Sequence, residues 1–204
     1  MQIDHLIYAA PDLDAAVADV ERRFGVRASG GGRHPGMGTH NRLLGLGPRT
    51  YLEIIAPDPD QPEPDGPRPY GVDGSTGAGL VGWALTCDDI GSARATAAAR
   101  GFDPGVVVEA GRVTPTGTTL RWRVTSNASP AGDIPFLISW GDSPHPAASA
   151  PSGLTLVSFH LEHPDPDSLV TPLRALGAEV DVRPAAEVAL VVRVDGPYGV
   201  QELR

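Results

Sequence analysis

Lysine is absent from this chain: all sixteen of its basic residues are arginine. That excludes Schiff-base chemistry on a lysine, pyridoxal catalysis and a Walker-A phosphate loop. A single cysteine, Cys87, excludes an internal disulfide and any CxxC metal or redox site. Aromatic residues are scarce, at 5%. No apolar run approaches the ~18 residues of a membrane span; residues 188–192 form a run of strand length only. The first residues, MQIDH, lack a basic region followed by an apolar segment, so no signal peptide is expected. A net charge of −9 argues against nucleic acid or an anionic membrane as partner. These absences point to a soluble cytoplasmic protein.

Glycine and proline are abundant, at 25 and 21 of 204 residues, and they cluster into punctuation. Residues 57–79 and 141–153 show no apolar periodicity and read as linkers. They divide the chain into segments 1–56, 80–140 and 154–204. Each segment opens with a strand-like run (3–10, 80–87, 154–162) and then meets an acid, Asp12, Asp89 or Asp165. Each acid is placed to cap an amphipathic helix, accepting a free N–H of its first turn. Each helix stops at a glycine, Gly25, Gly101 or Gly177, spaced by 76 residues both times. Pro172 predicts a short or kinked third helix. Strand signals follow near Val26 and at 40–46 and 50–56, at 106–108, 118–125 and 134–140, and at 179–183, 187–194 and 199–203. The pattern is β-α-β-β-β, three times over. The fold class is α+β, built from tandem βαβββ modules. An odd module count leaves the third without an internal partner, which predicts a homodimer.

His5 shares a strand face with Ile3, Ile7 and Ala9, and Glu53 shares one with Tyr51 and Ile55. Each has two readings: a functional group in a concave sheet, or a structural one, His5 as a hydrogen-bonded core histidine and Glu53 as an ion-pair partner of Arg42. If Arg42 and Glu53 are cross-strand neighbours, His40 points into the same concavity; otherwise it caps the strand entry. Arg121 and Arg123 share one face of their strand and can grip a carboxylate or phosphate if that face is concave. The reading places them in the cleft. Trp83 and Trp140 are flat apolar walls or core residues. Asn41 joins Arg121, Arg123 and Trp83 as a candidate for substrate contact. The glycine-rich stretch 30–38 reads as a lid or rim. His145, His160 and His163 read as loop or strand-end residues, and Cys87 as a small core residue.

Several stretches resemble the glyoxalase-like branch of the vicinal-oxygen-chelate superfamily (the glyoxalase, bleomycin-resistance and dioxygenase proteins). They are IDHLIYAAPDLDAAV, GGRHPGMGTHNRLLGLGPRTYLEII, RWR and PFLISWGDSPHP, spread over residues 3 to 146. The third segment is similar only through VDGPYGVQELR. The resemblance implies that the modules pair into a curved mixed-sheet half-barrel with helices on the convex side, and that the partner is a small molecule. It also implies that a divalent metal (Zn, Fe, Mn, Ni or Co) is held by the first and last strands of two paired modules. It puts His5 and Glu53 at the ligand positions of the first module, with His40 as a third ligand. In the second module the matching positions read Gly82 and Ile138 or Ser139; in the third, Ser158 and Glu202. The implied function is a lyase, isomerase or dioxygenase using the metal as a Lewis acid, with Glu53 catalytic. The alternative, favoured by the missing second ligand pair, is a metal-free binding or antibiotic-sequestering protein.

Overall fold

The computed structural model describes residues 1–74, 77–114, 116–127 and 129–204. The first segment forms β1 (Ile3–Ala9), α1 (Leu13–Phe24), β2 (Ser29–His34), β3 (Thr39–Gly47) and β4 (Thr50–Pro57). The second forms β5 (Gly79–Thr86), α2 (Ile90–Ala99), β6 (Val107–Val113), β7 (Thr119–Thr125) and β8 (Phe136–Ser139). In each, the first strand pairs in parallel with the last, and the others follow antiparallel. Each module therefore curves into half a barrel. The halves close through β1 against β5 and through one residue pair, Arg33 with Val113, between β2 and β6. The result is an eight-stranded barrel in the order β1-β4-β3-β2-β6-β7-β8-β5.

Strand alternation sorts the barrel wall into two faces. Ile7, Ala9, Ile55, Ala84, Phe136 and Ile138 point inward. Leu6, Tyr8, Leu44, Leu52, Ile54 and Trp83 point outward into the main core. There they meet α1, whose buried residues Leu13, Ala16, Val17, Val20 and Phe24 recur at helical spacing. Each fully buried leucine or isoleucine contributes about 1.5–3 kcal/mol to this layer. The Asp12 side chain accepts from Ala15 N at 2.8 Å and that of Asp89 from Ser92 N at 3.1 Å, so both cap their helices as expected. Gly25 closes α1 with φ 77°.

The third segment departs from the pattern. It contains β9 (Thr155–His163), α3 (Val170–Leu176), β10 (Asp181–Pro184), β11 (Ala189–Asp195) and β12 (Gln201–Leu203). The element order is βαβββ, but the strand order is β10-β9-β11-β12. Its first strand lies mid-sheet between β10 and β11, not beside its last strand, so it is not a superposable copy of the other two. Asp165 makes no side-chain cap; a 3-10 turn, Pro166–Leu169, precedes the seven-residue α3. The sheet packs on the barrel's outer face, where Phe159 meets Trp83 edge-on at 4.9 Å.

Both stretches expected to be linkers are built into the fold. In the first, Val72 is buried and the Arg68 guanidinium binds Gly38 O and Asp73, which pins a strap across one mouth of the barrel. In the second, Pro151 O accepts from Gly45 N at 2.8 Å. No helix is long and apolar enough to cross a membrane among the described residues.

Candidate active site in the barrel

The inner face of the barrel encloses a cavity of ≈ 180 Å³. Its polar wall comes from the first module and from β6: His5, His34, Asn41, Glu53 and Arg112. The wall opposite is apolar, with Trp122, Val124, Phe136, Ile138 and Trp140. Tyr70, on the strap, stacks against Phe136 at 6.2 Å and covers the mouth.

Asn41 is the hub of the polar wall. Its Oδ1 accepts from Gly32 N at 2.9 Å and from Arg112 Nη1 at 3.2 Å. Two donors on one atom fix the orientation of the amide. The amide nitrogen then donates to Glu53 Oε1 at 2.6 Å and faces His34 Nε2 at 3.4 Å. An imidazole that accepts at Nε2 carries its proton at Nδ1, which reaches Thr39 Oγ1 at 2.9 Å. Burial pushes the His34 imidazole below its ordinary value, against the opposing charge of Glu53.

Asp4 anchors the other side. In the β1–β5 pairing the register shifts between Ile3 and His5, and this bulge turns Asp4 to the side of its neighbour His5. The carboxylate takes His5 Nδ1 at 2.7 Å on one oxygen; the other takes Trp140 Nε1 at 3.1 Å and His145 Nε2 at 3.0 Å. His145 Nδ1 accepts from Ala147 N, so Nε2–H is the donor toward Asp4. Burial alone raises the Asp4 carboxyl, but hydrogen bonds from His145 and His5 outweigh it and hold the group well below the usual carboxylate range. With Nδ1 committed to Asp4, His5 presents Nε2 to Glu53 Oε2, 3.7 Å away, while its ring stacks on Tyr51 at 4.8 Å.

The sequence candidates therefore divide. His5, Glu53 and Asn41 are brought together. His40 is not: Glu53 pairs with Leu43, while Arg42 pairs with Ile54 and His40 with Ala56. That is one residue from the register assumed, and a one-residue slip turns every side chain to the other face. His40 instead lies outside the barrel, 3.9 Å from Asp58. Arg121 and Arg123 are exposed, and Trp122 and Val124 of the same strand line the cavity. Closing the sheet into a barrel puts the apolar face of β7 inside, which reverses the placement read from the sequence. Trp83 belongs to the outer core. His34, Arg112, Tyr70 and His145 went unassigned to the site, because they lie on the glycine-rich strand, on β6 and on the two segments taken for linkers. The glycine-rich stretch itself is mostly strand β2, with only its turn, through Met37, at the cavity rim.

The glyoxalase-like domain family matches residues 3–177, most of the chain. The chain belongs to that family. No curated protein matches it. A hypothetical protein from Staphylococcus aureus is similar in structure at 13% identity and a TM-score of 0.65, covering 92% of this chain and 87% of that one. A methylmalonyl-CoA epimerase from Streptomyces coelicolor gives 19% identity and a TM-score of 0.49 over 70% of this chain and 96% of that one. The epimerase from Mycobacterium tuberculosis gives 18% and 0.46 over 72% and 91%. At 13% identity the likeness to the Staphylococcus aureus protein shows the fold alone.

Family membership raises the question of a divalent metal. The donor set in this glyoxalase-like barrel does not fit one. Ile7 pairs with Glu53 in the first module and Ala84 with Phe136 in the second, which makes Phe136 the counterpart of Glu53. A phenyl ring and Gly82 thus occupy the second pair of ligand positions. His34 Nε2 and Glu53 Oε1 both face the Asn41 amide N–H instead of an open coordination site. Arg112 adds a buried cation to the same wall. Among the described residues no three His, Cys, Asp or Glu side chains are grouped to hold a metal ion, and a zinc site needs at least three protein ligands.

Proposed function

We propose that the cavity is the active site of a small-molecule enzyme in which Glu53 takes a proton from a carbon next to a carbonyl group. The observation that carries this reading is the state of the Glu53 carboxylate. Asn41 holds Oε1, while Oε2 makes no hydrogen bond among the described residues and stands 3.7 Å from His5 Nε2. Substrate C–H breaks, the proton goes to Oε2, and the electron pair moves toward the carbonyl to form an enolate. Delivery of a proton to the opposite face of the same carbon gives epimerisation; delivery to a neighbouring atom gives isomerisation. His5, oriented by Asp4, is placed to pass that proton on. The aromatic walls exclude water, which strengthens each electrostatic contact. The substrate class that fits is a compact carbonyl compound with an apolar body.

A second reading, a metal-free sequestering protein, draws support from the apolar wall formed by Trp122, Val124, Phe136, Ile138 and Trp140. One experiment separates the two. Phenylacetone is incubated with the protein in deuterated buffer, and loss of its benzylic protons is followed by NMR. The enzyme reading expects accelerated exchange that falls by about 10²–10⁴-fold in Glu53→Gln. Binding of phenylacetone without exchange supports the sequestering protein. Equal exchange in wild type and Glu53→Gln ends the role given to Glu53.

A further inference from the structure

We infer that Arg112 is the oxyanion-binding residue of this site, and that the substrate is therefore a neutral carbonyl compound whose enolate oxygen pairs with the Arg112 guanidinium. The inference deepens the reading of Glu53 as the base and rests on it for the identity of the reaction.

Arg112 lines the cavity at 4% exposure. Its one hydrogen bond among the described residues runs from Nη1 to Asn41 Oδ1. No carboxylate pairs with it there, and its buried Nε–H has no partner. A guanidinium carries five N–H donors in a rigid plane, and a buried donor left unmet costs about 1–3 kcal/mol. A protein holds such a group where a ligand completes it. Asn41 Oδ1, Asn41 Nδ2 and Glu53 Oε1 are engaged with one another or with Gly32 and Arg112, which leaves the guanidinium and Glu53 Oε2 as the groups for an arriving substrate.

Charge balance selects the ligand. In the resting site the Arg112 cation and the Glu53 anion sit on one wall, separated by the Asn41 carboxamide that hydrogen-bonds both. An anionic substrate would add a second negative charge beside Glu53. A neutral carbonyl compound leaves the balance intact. When its proton moves to Glu53, the negative charge moves from that carboxylate to the substrate oxygen. Arg112 then faces the enolate in place of Glu53, and no net charge enters the low-dielectric cavity. The guanidinium, carried by β6 of the second module, does in this barrel what a metal would do as an electrophile, without needing a second His/carboxylate ligand pair.

The test uses Glu53→Gln, whose uncharged carboxamide imitates protonated Glu53, and 4-nitrophenol as a probe whose phenolate imitates the enolate oxygen. The expected result is that the Glu53→Gln protein binds the probe as the coloured phenolate, more tightly than wild type does. Adding Arg112→Met should weaken phenolate binding by roughly tenfold or more, the equivalent of at least one pKa unit. Arg112→Lys on the same background should recover part of the loss. Equal affinity with and without Arg112, or no phenolate binding by Glu53→Gln, overturns the proposal. Should Arg112→Met fail to fold, the Arg112 Nε–H resonance in ¹⁵N-labelled Glu53→Gln decides: it moves when the probe is added, or the proposal falls. None of these readouts depends on proton abstraction, so failure of the Glu53 reading in the exchange experiment is seen separately.

Discussion

Asn41 shows how much of this site hangs on one side chain. It accepts from Gly32 and Arg112 and donates to Glu53, all inside the barrel. Asn41→Leu removes the acceptor of two buried donors at once. The expected cost is about 1–3 kcal/mol, measured by urea denaturation; unchanged stability would show that the network relaxes around the loss. His34 supplies a second prediction, in pH. Burial lowers its folded-state value below the ordinary one. As pH falls, the unfolded chain therefore takes up that proton first, and stability drops with it. The contribution is full above about 6.5 and is lost as pH falls below that value. His40, also lowered by burial against the charge of Asp58, acts in the same direction. Asp4, held low by its histidine partners, adds a further loss below about 3.9. The melting temperature should decline below about pH 6.5, and His34→Gln should flatten part of that decline. A wild-type profile flat to about pH 5 would contradict the assignment.

Among the elements, β2 is the one whose geometry most constrains the site. It carries His34, and Gly32 both donates to Asn41 and closes the barrel against β6. A Cβ on Gly32 would lie 2.0 Å from Val113 O, where backbone has no room to yield. The seam there consists of one residue pair, Arg33 with Val113. Gly32→Ala should therefore open the β2–β6 seam and cost about 2–4 kcal/mol. Gly36, in the turn after β2, has φ 76°, but a Cβ there would meet nothing within 4 Å. Gly36→Ala should cost only the backbone term, about 1–2 kcal/mol. Equal effects in a denaturation series would remove close approach as the reason for glycine at position 32. The helices are held more simply. Asp12 and Asp89 cap α1 and α2 through their side chains, and Pro172 sits in the first turn of α3, where its missing N–H is not needed.

For the molecule as a whole, the third segment acts as a buttress. Its inner face, with Leu161, Leu190, Val192 and Leu203, joins the same core as the barrel's outward side chains. The homodimer expected from the sequence rested on a third module lacking a partner; the barrel wall supplies that partner. Phe159→Ala removes the ring that meets Trp83. The expected loss is about 3 kcal/mol in unfolding free energy, with 4-nitrophenol binding to the Glu53→Gln background unchanged, because the contact lies outside the cavity. Weaker probe binding in this variant would show that the buttress shapes the inner face as well.

The repeat was legible because it lies in local chemistry: capping acids, stopping glycines and alternating strands each act over a few residues. Alternation along β1 and β4 tells which residues share a face with His5 and with Glu53, but both faces of these strands are buried, so their convergence in one site was legible only through the family resemblance. His40 fell on the outer face through a one-residue register, which depends on how the Gly45–Thr50 turn region sets β3 against β4. Arg121 and Arg123 pointed outward only once two half-barrels had closed. The bulge at Asp4, the reach of His145 and Tyr70 from segments without periodicity, and the unpartnered guanidinium of Arg112 all arise from contacts distant in sequence. Strand order in the third segment is of the same kind: the βαβββ succession is written locally, but which edges pair is decided by the barrel surface that the sheet must cover.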